Sequence, residues 1–141
     1  MENIELNDQI KELNKVKLAV LEIKKNYTNI KASQLKKDVK NMIEILDKIY
    51  EEIFNNSKSL KSFRLYGEFY LPTISKLIEK YNYFKEKNVQ TKDAVDLLKN
   101  IEIVIPKLNV HLENKYNSFF ESELIDLDAE IKVLMQELGN K

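Results

Sequence analysis

The chain has no cysteine, which removes disulfides, thiolate metal sites and cysteine nucleophiles and leaves the redox compartment open. Glycine occurs only at Gly67 and Gly139, so no phosphate-cradling loop of the P-loop or dinucleotide type can be built. For the same reason no serine sits in a Gly-x-Ser-x-Gly elbow. Proline is limited to Pro72 and Pro106, and this scarcity of helix breakers favours long helices. Arg64 is the only arginine, so forked guanidinium contacts to phosphate or guanine reduce to one residue. The net charge is +0 and the pI about 6.6, so no global field draws the chain to nucleic acid. No apolar run approaches the roughly 20 residues a membrane span needs, and the start, Met1-Glu-Asn-Ile-Glu-Leu-Asn-Asp, lacks the apolar core of a signal peptide. A cytoplasmic protein without membrane contact is expected.

What is present is amphipathic helix. The 141 residues contain 43% hydrophobic and 33% charged residues, enough for one domain spanning 1–141 with a real core. Apolar residues recur at steps of three and four nearly throughout. The first segment carries Leu6, Ile10, Leu13, Val16, Val20, Ile23, Tyr27 and Ile30, and weakens at Asn26, Thr28 and Asn29. A second begins near Ala32 with Leu35, Val39, Met42, Leu46, Ile49 and Ile53, whose alternating steps suit a coiled-coil seam. Ile43, Ile45, Tyr50 and Phe54 widen that stripe, which implies more than one neighbouring helix.

Asn55-Asn56-Ser57 breaks the pattern, and Ser57 or Ser59 is placed to cap a third helix running to about Lys87. Its seam reads Leu60, Phe63, Tyr70, Ile74, Leu77, Tyr81 and Phe84, with Gly67 allowing a close neighbour and Pro72 predicting a kink. After the turn at Asn88-Val89-Gln90-Thr91, an antiparallel fourth helix presents Ala94, Leu97, Ile101, Ile105, Leu108, Leu112, Tyr116 and Phe119, with a second kink expected at Pro106. A short last helix capped by Asp126 carries Leu127, Ile131, Leu134 and Leu138 and stops at Gly139. The expected fold is all-α: an elongated antiparallel bundle of four long helices plus a short C-terminal one.

Few groups suggest chemistry. His111 is the only histidine, and Leu108 stands where a Glu-x-x-His metal pair needs its glutamate. Asp126-Leu-Asp128 has the spacing of phosphate-transferring aspartates but opens a helix rather than ending a strand, so capping explains it better. Lys58, Lys61 and Arg64 share one face at the start of the third helix and form a candidate anion site, with a solvated face as the plainer reading. Seven of the thirteen aromatics lie between Phe63 and Phe84, making that segment the first choice for a partner surface. Basic residues outnumber acidic ones from Lys11 to Lys48, and acidic ones prevail from Glu113 onward; this asymmetry could guide helix pairing within a monomer or between subunits, or attract the N-terminal face to acidic lipid, and internal pairing is the simplest account.

The segment Phe69-Tyr-Leu-Pro-Thr-Ile-Ser-Lys-Leu-Ile-Glu-Lys-Tyr81 resembles the 5-bromo-4-chloroindolyl phosphate hydrolysis protein family, also called XpaC-like. The run from Phe119 to Leu134 looks like that family's acidic turn and closing helix, Arg64 matches a basic position, and the resemblance covers about residues 50–138. It implies a motif surface at Phe69, Tyr70, Leu71, Pro72, Thr73, Lys76, Lys80 and Tyr81, and an association with toxic-anion resistance proteins. Many members begin with a hydrophobic membrane segment, whereas this chain begins with an amphipathic helix.

The matched residues form no nucleophile-base-metal set. The expected role is therefore a non-enzymatic helical interaction module without cofactor or metal, binding another protein linked to toxic-anion or stress response. One alternative is a phosphoesterase, or a subunit activating one, relying on Lys58, Lys61, Arg64 and His111. Another is a structural homodimer pairing through the Leu35-to-Ile53 seam.

Overall fold

The computed structural model describes the backbone of residues 2–139 and the side chains of residues 5–139. Among the described residues there are helices and turns and no strand. The helices are α1 (Glu2–Tyr27), α2 (Ser33–Asn55), α3 (Ser57–Ser62), α4 (Leu71–Glu86), α5 (Lys92–Ser118) and α6 (Glu121–Gly139), with a π-helical turn at Tyr66–Tyr70.

Two helical hairpins make the body. α1 runs antiparallel to α2, and α4 antiparallel to α5. The hairpins then pack side by side with α1 parallel to α4 and α2 parallel to α5. Arg64 meets Glu12 while Asn82 donates to the Asn26 carbonyl at 2.8 Å, so both pairs ascend together. Asn109 donates to the Asp38 carbonyl at 2.8 Å and Lys48 lies over the Tyr116 ring, which gives α2 and α5 a common direction. The short α3 carries the chain diagonally from one hairpin to the other.

The core follows the helical periodicity. Leu35, Val39, Met42, Leu46, Ile49 and Ile53 of α2 are each at most 1% exposed, surrounded by α1, α3 and α5. This seam is filled within one chain, so a second copy pairing through it would have to displace the protein's own helices. Burying six such side chains contributes roughly 1.5–3 kcal/mol apiece before conformational entropy is set against it.

Several local expectations are corrected. The cap of α3 is Asn56, not Ser57 or Ser59: its Oδ1 accepts from the amides of Lys58 at 3.0 Å and Ser59 at 3.3 Å. A carboxamide oxygen reaches those amides from one residue before the helix, the favoured N-cap geometry. At the next helix Thr91 caps α5 by accepting from Ala94 at 3.2 Å. α5 continues through Pro106 as one helix, and its inward residue is Leu98 rather than Leu97, which is 42% exposed.

The expected kink at Pro72 takes the form of the π-helical turn. Pro72 has no N–H to offer the Glu68 carbonyl, and the amide of Leu71 bonds back five residues to the Tyr66 carbonyl. This wider turn shifts the inward face by one position. Leu71 becomes fully buried, while Tyr70, expected on the seam, is 46% exposed. From there Ile74, Ile78 and Tyr81 point into the core.

The last helix departs most from expectation. It starts at Glu121 rather than at Asp126, because nothing between Glu121 and Ile125 breaks a helix and Glu121 and Glu123 suit the positive first turn. Asp126 therefore lies inside α6 and caps nothing. At 19 residues α6 is not short, and none of its residues is buried.

Candidate interaction surface

α5 ends in aromatic packing that fixes where α6 leaves the body. Phe119 meets Phe63 edge-on at 6.3 Å between ring centroids, and Tyr116 meets Phe120 edge-on at 5.2 Å. The amides of Phe119 and Phe120 donate to the carbonyls of Tyr116 and Asn117, closing a two-residue turn before α6. Phe63 neighbours Arg64, which reaches Glu12 of α1. α6 thus departs from the end of the bundle at which α1 begins.

On α6, Leu124, Leu127, Ile131, Leu134 and Leu138 follow at alternating steps of three and four, a two-heptad seam on one face. Met135 adjoins it. Exposure of these six side chains runs from 49% at Leu127 to 73% at Leu138. Glu123, Glu130 and Glu137 recur every seventh residue along one flank, and Asp128 and Glu121 stand on the other. The seam was legible in the sequence from Leu127 onward; its lack of cover was not.

The basic face at α3 is engaged within the chain. Arg64 Nε lies 3.1 Å from Oε1 of both Glu12 and Glu68, and Lys61 lies 3.7 Å from Glu5. The hydrogen bond to Glu68, then the charges of Glu68 and Glu12, raise the guanidinium above its ordinary range and hold it cationic. The two α3 amides nearest an incoming anion are occupied by Asn56. Lys58 makes no ion pair among the described residues. His111 stands exposed on α5, apart from the Arg64 pairings.

The motif surface divides. Leu71 and Tyr81 are core, because the wider turn and the periodicity beyond it aim both inward. The Tyr81 hydroxyl donates to Oε1 of Glu102 at 2.5 Å, tying α4 to α5. Thr73 Oγ1 donates back to the Phe69 carbonyl at 2.8 Å, and Lys80 lies over the Tyr83 ring. Phe69, Tyr70, Pro72, Thr73, Lys76 and Lys80 remain on the surface. Phe69 and Pro72 border a shallow groove toward Leu18 and Ala19, alongside Glu22, Glu68 and Glu79. Among the described residues no group of three or more His, Asp or Glu is gathered to hold a metal ion, and no helix is long and apolar enough to cross a membrane.

A family model for the 5-bromo-4-chloroindolyl phosphate hydrolysis protein matches residues 3–134. The chain belongs to this family. The match takes in α1 and α2, which the motif-based resemblance over about residues 50–138 left out, and ends within α6. The α1–α5 body, the Pro72 motif and most of the α6 seam are thus all within the family region. No curated protein matches the chain, and no solved structure does.

Proposed function

We propose that this member of the 5-bromo-4-chloroindolyl phosphate hydrolysis protein family is a helical interaction protein whose contact element is α6. The observation that carries this reading is the uncovered heptad seam of α6 on a helix with no buried residue. An isolated helix of this length is marginal in water, and apolar burial is what ordinarily stabilises one. A seam with regular flanking charge is a recognition pattern.

The flank defines the partner's chemistry. If α6 paired with another α6 in parallel, Glu123 would face Asp128 of the other helix. In an antiparallel pair the glutamates of the two flanks would face one another. Like charges at these positions oppose association, whereas lysines there would favour it. The partner is an amphipathic helix with an apolar seam flanked by lysine.

The test is fluorescence anisotropy of two synthetic heptad peptides with the same leucine seam, one flanked by lysine and one by glutamate. The lysine peptide binds the full chain, binds less at high salt, and binds at least about tenfold more weakly to Ile131→Asp. Equal binding of both peptides, or of neither, contradicts the reading.

A further inference from the structure

We infer that the basic helix recognised by α6 is α1 of a second copy, so that two chains exchange α6 reciprocally. This deepens the function proposed above and rests on it for the choice of α6 as contact element.

The outward face of α1 carries apolar and basic residues. Leu6 and Ile10 were expected on the core seam, yet they are 55% and 46% exposed. Farther along, Leu18 is 63% and Leu21 50% exposed. At 3.6 residues per turn Ile10 and Leu21 fall on the side of α1 turned away from α2 and α4, with Leu6 at its α2 edge and Leu18 at its α4 edge. The charged residues sharing that side are Lys11, Lys17 and Lys25, with Glu22 at its α4 edge beside Leu18. Lys24 is turned toward α2, where it pairs with Asp47 at 2.9 Å, so Lys11, Lys17 and Lys25 are the cations an incoming helix would meet. The acidic residues Glu5, Asp8 and Glu12 of α1 lie on other sides, where Glu5 and Glu12 meet Lys61 and Arg64.

This face complements α6 in three respects. Apolar residues interleave with lysine on one helix and with carboxylates on the other, so burial and charge act together. The lengths agree: α6, and α1 from Leu6 to Lys25, each extend about 28 Å. α6 leaves the body at the end where α1 begins, so a two-fold axis at that end brings each α6 to the start of the other copy's α1. Two such contacts bury on the order of 2,000 Å², within the range of stable interfaces. The groove beside Phe69 and Pro72 fits less well, since Glu22, Glu68 and Glu79 outnumber Lys15 and Lys76 along it.

Sedimentation equilibrium of the full chain tests the exchange. The wild type is expected at twice 16.7 kDa. Reversal of the α6 flank in E123K/E130K/E137K raises the dimer dissociation constant at least about tenfold, as does reversal of the α1 face in K11E/K17E/K25E. Combining both sets restores association to within about threefold of wild type. All six positions are exposed, so circular dichroism should show an intact bundle in each variant. Ile131→Asp also dissociates the dimer without altering charge on α1. A wild-type monomer at high concentration, a dimer indifferent to both reversals, or failure of the combined set to recover overturns the proposal. A monomer that still binds the lysine-flanked peptide overturns only the second copy as partner. A chain inert to that peptide as well overturns α6 as the contact element.

Discussion

A Cβ placed on Gly67 would lie 2.9 Å from Cγ2 of Val16. Gly67 sits in the π-helical turn and Val16 on α1, so the missing side chain is what lets the two backbones pack this closely. Val16 is 2% exposed, and its β-branched side chain has little rotamer freedom to withdraw. Alanine would gain up to about 1 kcal/mol of helix propensity, while overpacking at a buried contact costs typically 1–3 kcal/mol. Gly67→Ala should therefore destabilise by about 1–2 kcal/mol. In a Val16→Ala background the same change should be neutral or stabilising, a coupling that denaturant melts of the four proteins would measure.

Asn56 and Ser57 make opposite predictions about the start of α3. Because Asn56 accepts from two free amides, Asn56→Ala should cost about 1 kcal/mol in a thermal or urea melt. Ser57→Ala should fall within about 0.5 kcal/mol of wild type, as an exposed substitution away from a cap does.

The Tyr81–Glu102 bond makes stability depend on alkaline pH. Burial of Tyr81, then the hydrogen bond to Glu102 and its negative charge, push the phenol well above its ordinary range. A group with a raised folded value contributes stability that is complete below its unfolded pKa of about 10 and is lost as pH rises through the folded value. Tyr81→Phe should lose about 1 kcal/mol at neutral pH. Above about pH 10 the gap between the two proteins should narrow, since only the wild type must keep a phenol protonated to stay folded. Urea melts from pH 7 to pH 11 would show it, and a constant gap would count against the bond.

The family description names hydrolysis of an indolyl phosphate, whereas Arg64 is occupied by Glu12 and Glu68. On the interaction reading, purified protein releases no more indolyl product than a matched blank, with or without magnesium, manganese or zinc. Activity that co-purifies with the chain and falls in Arg64→Ala or His111→Ala would place a catalytic site on this surface instead.

Much of the fold is legible in the residues, for identifiable reasons. The α2 seam from Leu35 to Ile53 reads correctly because its periodicity is regular and every member is core. Tyr70 and Leu71 exchange places because the π-helical turn ahead of Pro72 shifts the inward face by one position, which a count of regular helical steps does not reveal. Leu97 and Leu98 are adjacent and chemically identical, so only the angle at which α5 packs separates them. The partner of Tyr81 was invisible because Glu102 belongs to the returning helix. The α6 seam from Leu127 to Leu138 is plain in the sequence, but periodicity reports amphipathicity and not whether the apolar face is covered.

Hydrogen exchange along the full chain tests the role of α6 most directly. The protein is held below the dissociation constant of any self-association, with and without excess lysine-flanked heptad peptide. A helix with no buried residue should exchange quickly alone. Binding should slow the amides between Glu121 and Gly139 by at least about tenfold while α2, α4 and α5 stay as they were. Unchanged exchange in α6, or protection confined to the body, would contradict α6 as the contact element.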